Sequence, residues 1–163
     1  MDTIKAIKKR RSIRKFKNKK IDRSKIKKIL ETGRWAPSGL NNQPWKFKLI
    51  EDKDLKRKIA KLTDCSFIVE SANCLICVFL DKNKVYNMEK DLQSTGACIQ
   101  NMLLAATSLG VGTCWLGEIL NNRGKVHSLL KMPSNLKLEA VVALGIPAVS
   151  PKSKRLDLER LII

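Results

Sequence analysis

Arg10, Arg11, Ser12 and Arg14 crowd into the stretch RRSIRKF, and Lys152, Lys154 and Arg155 into PKSKR near the other end of the chain. On an extended backbone alternate residues share a face, so Arg10, Ser12 and Arg14 can converge on one ligand, as can Lys152 and Lys154. Guanidinium, ammonium and hydroxyl donors together suit a phosphate ester. The familiar catalytic sets are missing. His127 is the one histidine, so any Ser/His/Asp or Cys/His mechanism must use it, and its place beside Lys125 in an amphipathic segment favours a surface role. Cys74 and Cys77 form a C-x-x-C, but three residues apart on a strand they point to opposite faces, which suits core thiols better than a zinc site or a redox turn. No Walker A, H-E-x-x-H or G-x-G-x-x-G is present. With no evident acid, base or nucleophile, an enzyme made from this chain must take its chemistry from something it binds.

The elements that position these residues are legible from periodicity and punctuation. Residues 2 to 9 read as a short helix that stops where RRSIRKF becomes extended. Asp22 is a plausible N-cap for a second helix to about Trp35, with Ile21, Ile26, Ile29 and Leu30 as its buried stripe. Pro37 and Pro44 fix their own φ and bias their predecessors away from the helical region, so APSGLNNQP is a loop rich in hydroxyl and amide groups. WKFKLI alternates Trp45, Phe47 and Leu49 against lysines, the period of a strand with one face buried. Asp52 can cap a helix over 53 to 61. NCLICVFLD is continuously apolar and fits a strand covered on both faces. Residues 88 to 109 carry apolar or small residues nearly all round the wheel beyond Ser94, which places that helix at a domain centre or between subunits, with Gly110 as its stop. VGTCWLG is a short extended piece ending in a turn, Asn121 or Asn122 opens a helix to about Lys131, and LEAVVALGIP is the last strand.

A chain of 163 residues suits one domain and can bury a normal core without staples. The five cysteines, mostly among apolar neighbours, read as reduced thiols. No apolar run approaches a membrane span and no signal-peptide core is visible, so a soluble, cytoplasmic protein without a membrane partner is expected. The net charge of +18 is uneven: residues 1 to 61 hold 22 Lys and Arg against 6 Asp and Glu, leaving +2 for the remainder. Such asymmetry raises the alternative of a basic nucleic-acid or anionic-surface binding protein. Most of these lysines alternate with Ile and Leu at helical spacing, however, and few aromatics lie near them. Specific nucleic-acid binding is therefore not expected.

RRSIRKF, APSGLNNQPWKF thirty residues on, GACIQNMLLAATSLGVGTCWLG in the middle and ALGIPA followed by PKSKR together resemble the FMN-dependent nitroreductase family, in order and over almost the whole chain. The resemblance implies a single FMN-binding domain over 1 to 163. Its fold would be α+β, a central and mainly antiparallel sheet flanked by helices, built as an intertwined homodimer with FMN sites at the interface. By likeness, Arg10, Ser12 and Arg14 contact the flavin's phosphate, ribityl chain and pyrimidine edge, with Arg11 near the phosphate. Lys152 and Lys154 match the C-terminal basic pair on that phosphate, with Arg155 an alternative second member. Pro37, Ser38, Gly39 and Asn41 resemble the loop that reaches the partner's FMN. Trp115, Leu116 and Gly117 match the turn whose backbone faces the isoalloxazine, where a donor would stabilise reduced flavin. The implied activity is an NAD(P)H-dependent flavin oxidoreductase, with NADH or NADPH as donor and a nitroaromatic, quinone or similar small molecule as acceptor. The flavin itself carries the chemistry, with no catalytic side chain and no metal. Only DKNKVYNMEK stands between the 73 to 80 strand and the long helix, where longer members carry a helical excursion over the flavin, and no match is evident in TDCSFIVES for the family's middle asparagine and lysine contacts.

Overall fold

The computed structural model describes residues 1–163. Three helices begin where a short acidic side chain can satisfy free backbone donors. Asp2 accepts from Lys5 N–H at the start of α1 (Thr3–Lys9), Asp22 from Ser24 N–H at α2 (Arg23–Arg34), and Asp52 from Leu55 N–H at α3 (Lys53–Ala60). A further helix, α4 (Ser66–Ser71), has no side-chain cap and only Ile68 and Val69 buried, and the sequence reading missed it. The long helix α5 (Met88–Ser108) ends at Gly110, whose φ of +72° lies in the left-handed region that a glycine enters without strain. The last helix, α6 (Arg123–Leu129), opens after Asn122 as expected, although the Asn122 side chain instead donates to Leu62 O across the fold.

Five antiparallel strands form one sheet: β1 (Phe16–Lys17), β2 (Trp45–Ile50), β3 (Cys74–Asp81), β4 (Gly112–Leu116) and β5 (Leu136–Pro147). The twelve-residue β5 organises it. One edge of β5 pairs with β3, which in turn pairs with β2; β4 pairs along the other edge of β5, and the short β1 pairs with its end at Ile146 and Pro147. Every residue of β3 is buried, as its continuous apolar run requires. Cys74 and Cys77 do lie on opposite faces, in two separate apolar clusters. One cluster packs α3, α4 and α6 on the sheet through Ile59, Ile68 and Val126, and the other packs α2 and α5 through Ile29, Cys98 and Met102. The architecture is thus α+β, with helices on both faces of an antiparallel sheet. No helix is long and apolar enough to cross a membrane.

The burial expected for WKFKLI is corrected at its end. Trp45 is buried and Phe47 half-buried, but Leu49 is 36% exposed while Ile50 is buried. Ile50 points to the opposite face and joins the cluster of Ile59, Ile68 and Leu75 beneath α3, so the end of this edge strand is anchored on its other face. The expected all-round apolar helix has one deeply buried side, Cys98, Ile99, Met102 and Ala106, while Gly96, Ala97, Leu104 and Ala105 remain partly open within one chain.

Candidate cofactor site

RRSIRKF leaves α1, touches β4 at Ser12 and Ile13, and reaches β5 at Phe16. Ser12 bridges Thr113 in parallel, and Ile13 N–H donates to Thr113 O at 2.8 Å. This pins the Arg10 to Arg14 segment beside the strand that ends in Trp115, Leu116 and Gly117. Two of the segments singled out by sequence therefore meet within one chain. Arg10 is half-buried, and its guanidinium is held below the usual arginine range by burial and then by the positive charges of Arg155 and Arg11. None of these three arginines has an acidic partner. Arg155 is near enough for Arg10 to feel its charge, with Lys154 outside that set, and Arg155 is steadied by bonds from Nη1 to Ser153 Oγ and Lys154 O.

Arg11 folds back on the end of α1. Its Nη1 donates to Lys8 O and Arg10 O, both at 2.7 Å, which satisfies carbonyls at the end of α1, while its Nε is buried without a partner. Arg11 and Lys152 together line a cleft of about 610 Å³, with Lys9, Thr113 and Ser153. Arg14 is exposed and near enough to Cys114 to oppose the rise that burial imposes on that thiol. On β4, Trp115 is 41% exposed and Leu116 is buried. Cations with no counter-charge and a buried guanidinium nitrogen without an acceptor form a donor set that fits a phosphate ester.

Pro37, Ser38, Gly39 and Asn41 lie elsewhere. Their loop packs against the N-terminal end of α5, whereas the residues flanking RRSIRKF meet its C-terminal end around Thr107 and Gly110. A 21-residue helix is about 30 Å long, so the loop and the arginines of one chain do not share a site. The loop is held in an unusual form: Leu40, Asn41 and Gln43 have φ of 53°, 53° and 46°. Ser38 Oγ accepts from Gln43 N–H at 3.0 Å, and a methyl group on Gly39 would collide with the Tyr86 hydroxyl.

Two acidic residues important to this geometry were not singled out by sequence. Asp91, fully buried, accepts from Asn42 Nδ2 at 2.7 Å, Tyr86 N–H at 3.0 Å and Asn87 N–H at 3.1 Å. Asn42 Nδ2 also donates to Lys84 O, so two acceptors fix the orientation of its amide. Glu118, next to Gly117, accepts from Thr63 Oγ1 and from Asp64 N–H at 3.1 Å. It thereby ties the unmatched TDCSF segment to the β4 turn. A polar residue opening TDCSF and an acid directly after the glycine turn were the available signals. His127 is remote from this chemistry: its Nε2 lies 3.0 Å from Pro133 O, at the end of α6.

The Nitroreductase family profile matches residues 7–71 and 64–146. A protein of Archaeoglobus fulgidus named as an NADH dehydrogenase/NAD(P)H nitroreductase is 35% identical over 149 residues, spanning 90% of this chain and 86% of that protein. A structure described as a nitroreductase in complex with FMN, from Desulfovibrio desulfuricans, superposes with a TM-score of 0.96 at 41% identity, covering 100% of this chain and 96% of that one. The NADPH:FMN oxidoreductase of Vibrio harveyi, complexed with NAD+, superposes with a TM-score of 0.92 at 27% identity, covering 99% of this chain and 76% of that one. With the motifs, the sheet and these likenesses in agreement, the chain belongs to the nitroreductase family.

Proposed function

We propose that the protein is an FMN-dependent oxidoreductase that takes reducing equivalents from NADH or NADPH and delivers them to a nitroaromatic, quinone or similar small acceptor. The observation that carries this reading is the group of Arg10, Arg11 and Arg155, without a counter-ion, beside the start of β4. When bound, FMN supplies the two-electron carrier between donor and acceptor. Arg10, Arg155 and the Ser12 hydroxyl would hold its phosphate, with Arg11 and Lys152 completing the positive field from the adjoining cleft and Lys154 contributing at longer range. Arg14 would reach the polar edge of the ring. The backbone of Trp115 to Gly117 would line the ring, and Glu118 keeps that turn in place through Thr63 and Asp64. No side chain need act as proton donor there, because water or the flavin itself can serve.

We further propose that the working unit is a homodimer of single-domain chains. The loop of Pro37, Ser38, Gly39 and Asn41 would complete the partner's flavin site, because α5 separates it from the arginines of its own chain. The partly open strip of Gly96, Ala97, Leu104 and Ala105 supports an interface along that helix. Purified protein should be yellow and carry one FMN per chain, and sedimentation velocity read at the flavin absorbance should show the colour in the dimer alone. Protein that stays colourless after incubation with FMN overturns the flavin assignment; a coloured monomer with stoichiometric FMN overturns the shared site.

A further inference from the structure

A second and larger cleft, of about 1210 Å³, opens between the β1–α2 connection, the start of α3 and the end of α4. None of the residues assigned to the flavin lines it. Its floor is built where three segments converge on Ala72 and Asn73. Asn73 Oδ1 accepts from Ile21 N–H at 3.0 Å, which fixes the β1–α2 connection. Lys56, only 6% exposed, donates to Ala72 O and, at 3.4 Å, to Asn73 O, which fixes α3. Burial holds the Lys56 amino group below the usual lysine range, the Cys74 thiol opposes this, and Lys53 adds to it.

The lining is strongly positive, with seven Lys or Arg against two Glu. Glu51 is occupied by Arg23 at 3.0 Å, and Arg57 is paired with Asp54 at 3.0 Å. Lys17, Lys19 and Lys20 on one wall and Lys53 on the other have no acidic partner. Like charges gathered on concave, low-dielectric walls focus a field that draws in a multiply charged anion. The apolar lining residues Phe16, Ile21 and Ala72 are only 7%, 5% and 2% exposed, so the cleft offers neither an aromatic face to stack a base nor an apolar wedge for a lipid surface. Its volume slightly exceeds the range of about 300–1,000 Å³ usual for small-ligand sites, which suits a hydrated, compact polyanion.

We propose that this cleft is a second anion site, taking a compact ligand with several closely spaced phosphates. The walls grip the phosphates through Lys17, Lys19, Lys20 and Lys53, over a floor kept rigid by Lys56 and Asn73. The test is calorimetric titration of the purified, FMN-loaded protein with sodium tripolyphosphate at low salt, and with ATP in a second arm. Saturable one-to-one binding is expected, weakening as salt screens the field. ATP binding no tighter than tripolyphosphate identifies the phosphates alone as the determinant; tighter ATP binding adds a nucleoside contact to the same site. The double variant Lys19→Ala/Lys53→Ala removes one exposed cation from each wall. It should lose affinity by about tenfold or more while melting temperature and flavin content stay at parental values. The inference is overturned if tripolyphosphate shows no saturable heat up to millimolar concentration, or if the double variant binds it as the parent does. It is overturned equally if a 20-nucleotide DNA duplex binds tighter than tripolyphosphate and displaces it. Failure of the flavin assignment would leave this test intact, since the loss in Lys19→Ala/Lys53→Ala reads this cleft alone and not the Arg10 cluster.

Discussion

Asp91→Asn should loosen the loop of Pro37 to Gln43 and lower both stability and flavin retention. The buried carboxylate serves three donors, one from Asn42 and two from the backbone of Tyr86 and Asn87. An asparagine keeps one oxygen, so if that oxygen serves the backbone donors, its NH2 meets the NH2 of Asn42 and that bond is lost. Hydrogen bonds to a charged acceptor contribute about 1.5–3 kcal/mol each. Against this, Leu40 and Gln43 occupy left-handed backbone at about 1–2 kcal/mol apiece. Loss of the clamp is therefore comparable to the strain of about 2–4 kcal/mol it offsets, and the loop should relax. For a chain of this size 1 kcal/mol moves the melting temperature by about 2–4 °C, so a fall of about 3–12 °C is expected in calorimetry. Asn42→Ala should show most of the same loss, and the double variant little more, because both act through one contact. A melting temperature within about 1 °C of the parent for Asp91→Asn, or strict additivity in the double variant, refutes the reasoning.

Arg10→Ala should weaken FMN binding by roughly ten- to a hundredfold, read by quenching of flavin fluorescence, through loss of one charge-assisted phosphate contact. Arg155→Ala should weaken it comparably and Lys154→Ala much less, because Arg155, and not Lys154, is near enough for Arg10 to feel its charge. A thiol reagent at pH 8 should find Cys65 quickly in the native protein and the other four cysteines only in denaturant, since those four are buried. Burial pushes Cys74, Cys77 and Cys98 up to about 12. Unfolded thiols ionise at lower pH than these, so the stability carried by the protonated form is intact below about pH 9 and declines as pH rises toward 12, visible as a falling denaturant midpoint. Gly33→Ala would set a methyl group 2.8 Å from Met102 Cγ where α2 crosses α5. Overpacking of about 1–3 kcal/mol outweighs the helix-propensity gain of about 1 kcal/mol, so a net loss of about 1 kcal/mol is expected in urea unfolding.

Local rules made much of the fold legible, because the groups that enforce them are neighbours in the chain. Asp2, Asp22 and Asp52 cap helices by bonding to backbone two or three residues away, and Pro37 and Pro44 bracket a loop whose only helical piece is the 3-10 turn Gly39–Asn41. The apolar run of β3 could only be a strand with both faces covered, and the basic clusters and the glycine turn marked the segments that now adjoin on β4. Helix α4 escaped notice because it has no side-chain cap and is only six residues long, too short to show a helical period; contact with the sheet makes it a helix. Ile50 rather than Leu49 is buried because α3 covers that face, and nothing in WKFKLI records where α3 will lie. Asp91 reads as an ordinary surface acid of a first helical turn until Asn42, 49 positions away, and two backbone donors enclose it. The choice of Arg155 beside Arg10, and the separation of the Pro37 to Asn41 loop from both by the length of α5, follow from where the chain ends up in space. Sequence determined the elements and the kind of ligand chemistry, since these depend on short-range backbone bonding and residue type. Tertiary structure alone decided which charges face one another and which are buried, because desolvation and Coulomb forces act between residues that only folding brings together.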